Sequence, residues 1–147
     1  TNISETTLLA TDYLNHFNEV VMMLDMVPAM PVFLEDLREW QPKTYQQHFA
    51  DASFSDAELA VEAYDHVPLK YRETFEEIIA LLNRFVGSAL RRLEDSVAAN
   101  DKVGTMMIAI DHSERLIKLI DLASAIIHGE EVAWDKAQID TQFPDPA

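Results

Sequence analysis

The stretch DYLNHFNE, residues 12 to 19, holds the side chains in this chain best suited to chemistry. Asp12, His16 and Glu19 are spaced four and three apart, so a helix would project all three from neighbouring turns. Two carboxylates and an imidazole can bind zinc, iron or manganese, and can also act as an acid–base group. One helix supplies too few ligands. The other histidine within a long helical pattern is His112, flanked by Asp111, Glu114 and Arg115, which makes Asp12, His16, Glu19 and His112 the candidate metal set. A ferritin-like bundle would carry Glu-x-x-His on two helices. Here the order is His16-x-x-Glu19, and no Glu-x-x-His occurs. The simpler reading makes His16 a boundary histidine beside solvated acids and His112 an ordinary surface residue. A phosphoryl-accepting role for His112 lacks the Lys-Gly pair that follows the reactive histidine in phosphotransfer bundles.

Other chemistries find little material. Cysteine is absent, which excludes disulfides, thiol nucleophiles, iron–sulfur clusters and thiolate zinc sites. Glycine-rich phosphate loops, a Gly-x-Ser-x-Gly elbow and His-Glu-x-x-His do not occur. Met22, Met23 or Met26 could ligate a non-covalent haem with a distant histidine, but methionine on an apolar helix reads as core filler. No cofactor is expected.

These residues must be positioned by helices. Only 3 glycines occur in 147 residues, which leaves little material for strand-and-turn architectures. Leu9, Tyr13, Phe17, Val20, Leu24 and Val27 recur at three and four, predicting a first helix over about 3–26. Asn2 with Glu5 reads as its capping box, and Ser4 as a competing cap. Pro28, Pro31 and Pro42 then punctuate two short helices, about 32–40 and 43–50. Ser55 to Glu58 reads as a second capping box, opening a helix to about Asp65.

Pro68 begins the longest element, to about Ala98, with the stripe Tyr71, Phe75, Ile78, Leu82, Phe85, Ala89, Leu93 and Val97. Gly87 inside it marks either a close helix crossing or a weak spot worth about 1 kcal/mol relative to alanine. Asp101 is the expected N-cap of the last long helix, which runs to His128 and stops at Gly129. Its core face is read as Val103, Met106, Ile110, Ile117, Ile120 and Ile127, widened by Leu116, Leu119, Ala123 and Ile126.

The expected fold is therefore all-α, an up-and-down helical bundle over residues 1–128. It has two long antiparallel helices, a long N-terminal helix and short helices packed as a fourth layer. An acidic tail, 129–147, follows, partly docked through Trp134, Ile139 and Phe143 or mobile.

The formal charge is −15, and residues 1 to 67 contain twelve acids against two bases. Such a surface repels nucleic-acid phosphate and anionic lipid, so neither nucleic acid nor membrane is an expected partner. No stretch approaches the ~20 apolar residues of a membrane span. A cytoplasmic location agrees with the lack of cysteine.

The expected function is a non-enzymatic helical protein-interaction or regulatory module. Its partner would be a protein with a basic or apolar surface, anchored on Phe33, Trp40, Tyr45 and Phe49, aromatics for which core packing is the competing reading. The alternative is a carboxylate/histidine metal-binding or redox bundle. A nucleic-acid mimic is a third reading, and a homodimer follows if residues 68 to 98 keep apolar side chains on more than one face.

Overall fold

The computed structural model describes residues 3–52, 56–130, 139 and 141–144. Among these, a 3-10 turn, Thr11–Leu14, leads into α1 (Asn15–Met26), α2 (Phe33–Glu39), α3 (Tyr45–Ala50), α4 (Ala57–Tyr64), α5 (Leu69–Ala98) and α6 (Lys102–Ile127). No strand forms among the described residues, only a single antiparallel bridge between Ile3 and Ala10. The all-α expectation holds.

α5 and α6 form the antiparallel hairpin at the centre. The turn between them is built by local chemistry. Asn100 takes a left-handed φ of 53°, Asp101 N–H reaches back to Ser96 C=O at 2.9 Å, and Asn100 N–H to Val97 C=O at 3.0 Å. This double bond pattern closes a helix with one left-handed residue. Asp101 then caps α6, its Oδ1 accepting from Gly104 N–H at 2.9 Å. α6 ends in the same pattern: Glu130 N–H donates to Ala125 C=O and Gly129 N–H to Ile126 C=O, with Gly129 at φ 79°. Gly129 is required twice over, because a Cβ there would also lie 2.7 Å from Thr6 Cγ2.

The first helix begins later than its pattern suggests. Ser4 does cap, but it caps a turn: its Oγ accepts from Thr6 N–H at 3.2 Å and Thr7 N–H at 3.3 Å. Leu8 adopts φ 64°, and Ser4 N–H bonds Leu9 C=O, so residues 3 to 10 make a tight arm in place of a helical turn. The buried Thr7 hydroxyl donates to Ile127 C=O, which ties this arm to the end of α6. The proposed caps at Asn2 and Ser55 lie outside the described residues, as does Trp134.

The apolar stripe of the first segment is as read: Leu9, Tyr13, Phe17, Val20, Leu24 and Val27 are all fully buried. Burial of each large side chain contributes roughly 1.5–3 kcal/mol. On α5, Phe75, Ile78, Leu82, Phe85, Ala89 and Leu93 are buried as well. Gly87 has nothing within 4 Å of a built Cβ, so no helix crosses closely there. α2 packs on α1 and α5, and α3 on α4 and the 3-10 turn.

α6 is the correction. Its buried face is Thr105, Ala109, His112, Ser113, Leu116, Leu119, Ile120, Ala123, Ile126 and Ile127. Val103, Met106, Ile110 and Ile117, expected in the core, are exposed. The helix is apolar nearly all round, so its period does not choose a face. Small and polar side chains occupy the inner stripe at its N-terminal half, where Ser96 and Thr105 hydroxyls meet at 2.7 Å between α5 and α6. Bulky isoleucine and methionine are left outside. Beyond α6, Ile139 and Phe143 are buried, so this part of the C-terminal segment docks on the bundle. Among the described residues no helix is long and apolar enough to cross a membrane.

Candidate functional site

His16 leaves the first turn of α1 and is buried, 6% exposed, in a nest of aromatic rings. Its ring stacks on Trp40 with centroids 4.3 Å apart and planes at 20°. Tyr13, Phe17 and His48 surround it at 6.3, 5.3 and 6.4 Å. Trp40 is held there because α2 ends at it in an extended conformation, ψ 130°, and Pro42 disfavours helix at the next residue, Gln41. Its indole N–H donates to His16 C=O at 3.0 Å. Thr44 and Gln47 then form a capping box that starts α3 and presents Tyr45, His48 and Phe49 inward. Tyr13 O–H donates to Lys43 C=O, and Tyr45 O accepts from Ala10 N–H at 2.8 Å.

The electrostatics of this nest follow from burial. His16 is pushed down to about 4, first by desolvation and then by His48 and Lys43, against a backbone hydrogen bond with Gln41. Its Nε2 is buried without a hydrogen-bond partner. His48 is also lowered, by burial and then by Lys43, with Asp12, Glu19 and Asp51 pulling the other way. Burial raises Tyr13 and Tyr45 to about 12. Neutral imidazoles in an apolar setting can accept a proton or a ligand bond, but Nε2 of His16 is closed in by rings.

The four candidate metal ligands are not brought together. Asp12 is half-buried and Glu19 exposed beside α1, while His112 lies in the α5–α6 interface. Among the described residues, no group of three or more His, Asp or Glu is placed to hold an ion. His112 is not a surface residue but is 2% exposed. Its Nδ1 lies 3.0 Å from Ile108 C=O, which assigns the proton to Nδ1. Nε2 is then the acceptor for Ser88 O–H at 3.2 Å. A serine on a histidine is the arrangement of a nucleophile and its base. Ser88 is fully buried, so no substrate reaches it and the pair acts as a polar pin between helices. Burial lowers the imidazole, opposed by the Ile108 bond and Asp111.

The aromatic anchors divide in the same way. Tyr45 and Phe49 are core, 3% and 0% exposed, whereas Phe33 and Trp40 are half-buried against it. Neither pair forms an open apolar platform. Tyr45 of the proline-punctuated segment folds back on Tyr13, Tyr64 and Phe75, as its ring contacts show.

The exposed apolar surface lies elsewhere. Of six methionines, Met22, Met26, Met30, Met106 and Met107 are exposed. On α6, Val103, Met106, Met107, Ile110 and Ile117 recur at three, four and seven, which places them along one outward strip. On α1, Met22 and Met26 are one turn apart, and Met30 and Val32 continue from the end of that helix. The two helices meet antiparallel: Ser113 O–H donates to Asp25 Oδ1 at 3.0 Å, and Thr7 at the other end reaches Ile127. These exposed apolar residues stand on the same two helices as the exposed acids Glu19, Asp25, Glu114 and Asp121. Sequence period pointed at most of these α6 residues but assigned them to the core. The signal that could have found the exposed strip is the inner stripe of Thr105, Ala109, His112 and Ser113, which suits close helix contact better than isoleucine does. No family model matches the chain, and no curated protein or solved structure proves similar to it.

Proposed function

We propose that the protein is a non-enzymatic helical interaction module in which the exposed apolar residues of α1 and α6 make up a docking groove for a basic amphipathic helix from a protein partner. The observation that carries this reading is the exposure of five of six methionines, beside the outward strip of α6. Methionine is ordinarily buried, and when it lines an exposed groove its flexible thioether moulds to varied apolar side chains. An exposed apolar patch of this kind in an otherwise charged molecule marks a contact surface. An amphipathic helix would lay apolar residues at i, i+3/i+4 and i+7 into the groove.

Charge selects the sign of the partner. The groove is bordered by carboxylates, with Lys118 among them, on a molecule of formal charge −15. A lysine- or arginine-rich helix gains at the rim and is steered on approach. A second copy of this chain would bring the same acidic rim against itself, so the heterologous partner is favoured over the homodimer.

The test is calorimetric titration with a designed helix of leucine and lysine at amphipathic spacing, beside its glutamate-for-lysine counterpart. The lysine peptide should bind, weaken as salt rises, and lose affinity at least tenfold on Ile110→Asp or Met107→Asp with the melting temperature unchanged. Equal behaviour of the two peptides, or insensitivity to both substitutions, would overturn the proposal. So would sedimentation showing that the groove is occupied by a second copy.

A further inference from the structure

A second concavity opens beneath α3, away from the groove. Its volume is about 290 Å³, and Tyr13, Tyr45, Tyr64, Phe75 and Ile79 give it apolar walls. The size is near the lower end for small-molecule sites, about 300–1,000 Å³. α5 contributes Glu76, Ile79 and Asn83 to the lining, spaced three and four apart on one side of the helix. Asn83 Oδ1 is buried and has no hydrogen-bond partner. A buried acceptor left unmet is costly, so such an atom at the wall of a cleft points to a donor supplied from outside. Glu76, exposed at the rim, accepts the Tyr64 hydroxyl with one carboxylate oxygen. The cation that borders the cleft, Lys43, is paired with Asp51 at 3.0 Å. The Glu76 carboxylate and the unmet Asn83 acceptor are thus set among aromatic rings, with Thr44, Gln46 and Gln47 also in the lining.

We infer that this cleft binds a small organic ammonium, with an aromatic or branched aliphatic body seated on the tyrosines and its N–H groups shared between Asn83 Oδ1 and Glu76. Aromatic walls with a carboxylate at the rim suit a cation, through ring quadrupoles as well as charge. A carboxylate or phosphate guest would be repelled by the Glu76 carboxylate and would leave the Asn83 acceptor unmet. The site is independent of the α1–α6 groove and requires no partner protein.

The experiment uses three probes of one body: phenethylammonium, the neutral 2-phenylethanol and phenylacetate, titrated into the full chain and followed by tyrosine-ring NMR shifts. Phenethylammonium should saturate, the alcohol should bind more weakly and phenylacetate should not bind. Glu76→Gln should weaken the ammonium about tenfold, roughly 1.4 kcal/mol. Asn83→Leu should abolish it without lowering the melting temperature, because leucine removes the unmet acceptor. Asn83→Asp keeps the shape and adds charge, so it should retain or tighten binding even if the leucine variant misfolds. The inference is overturned if phenylacetate binds as well as the ammonium, if no probe saturates, or if Asn83→Asp weakens the ammonium.

Discussion

Two histidines, His16 and His112, are buried to nearly the same degree, 6% and 2% exposed, yet their surroundings differ in kind. His112 stands in a helix interface that meets both of its ring nitrogens, one with Ile108 C=O and one with the Ser88 hydroxyl. His16 stands in an aromatic nest that stacks its faces on Trp40 and leaves Nε2 unmet. The first arrangement pins one helix against another. The second stores a modest cost at the α1–α2–α3 end, where Trp40 folds over the ring like a cover. Burial alone is thus a poor guide to what a core histidine does; the count of satisfied nitrogens separates a structural pin from a group that only packing retains.

The largest effect should come from removing the pin. His112→Ala leaves the Ser88 hydroxyl unpartnered and opens a cavity between α5 and α6, so chemical denaturation should show a loss of about 3–4 kcal/mol. If His112→Ala costs no more than a surface substitution, the two histidines do not differ as described.

Acid should act mainly through the unmet histidine. The folded-state value of His16 lies near 4, below the ordinary 6.5, so the unfolded chain binds the extra proton first. Stability should be full above about pH 6.5 and fall as pH drops towards 4, by up to about 3 kcal/mol. His48 and His112 are shifted in the same direction and add to the trend. His16→Phe should flatten this part of the profile, and an unchanged slope in that variant would assign the acid loss elsewhere.

A smaller effect distinguishes paired from unpaired hydroxyls. Ser96→Ala strands Thr105 in the α5–α6 interface and should cost about 1–2 kcal/mol. The double variant Ser96→Ala/Thr105→Val should cost less than the sum of the two singles, as a double-mutant cycle on melting would reveal. Smallest of all is His16→Phe at neutral pH. It keeps the stack on Trp40 and removes the orphan nitrogen, so stability should change by less than about 1 kcal/mol, with gain as the expected sign.

The contrast also explains what could be read from sequence. The stripe on α5 was legible because its outward face is polar, which leaves one choice of core side, and that on α1 because Leu9, Tyr13, Phe17, Val20, Leu24 and Val27 recur at three and four without a break. Asp101 and Gly129 were legible because a capping carboxylate and a left-handed glycine are local chemistry. α6 was not, since Val103, Ile110 and Ile117 compete with Leu116, Leu119 and Ala123 for the interior. The outcome depends on how closely α5 can approach at Ala109 and Ser113. The start of α1 failed for a different reason: Ser4 and Thr7 have tertiary and turn partners, Ile127 among them, that no local spacing announces. For the candidate site, the residue types in DYLNHFNE were informative about His16 being near the apolar side. Its cover, Trp40, lies across a proline break and was read as a surface anchor or a core residue with no link to His16.

The account rests most on the methionine groove being a docking surface for a basic helix. The direct measurement is a titration of ¹³C-methyl-methionine protein with the leucine/lysine peptide, recorded by NMR. Met22, Met26, Met106 and Met107 methyls should shift together on one binding curve while half-buried Met23 moves little. Shifts confined to Met23, no saturable shifts, or shifts that track protein concentration in the absence of peptide would contradict it.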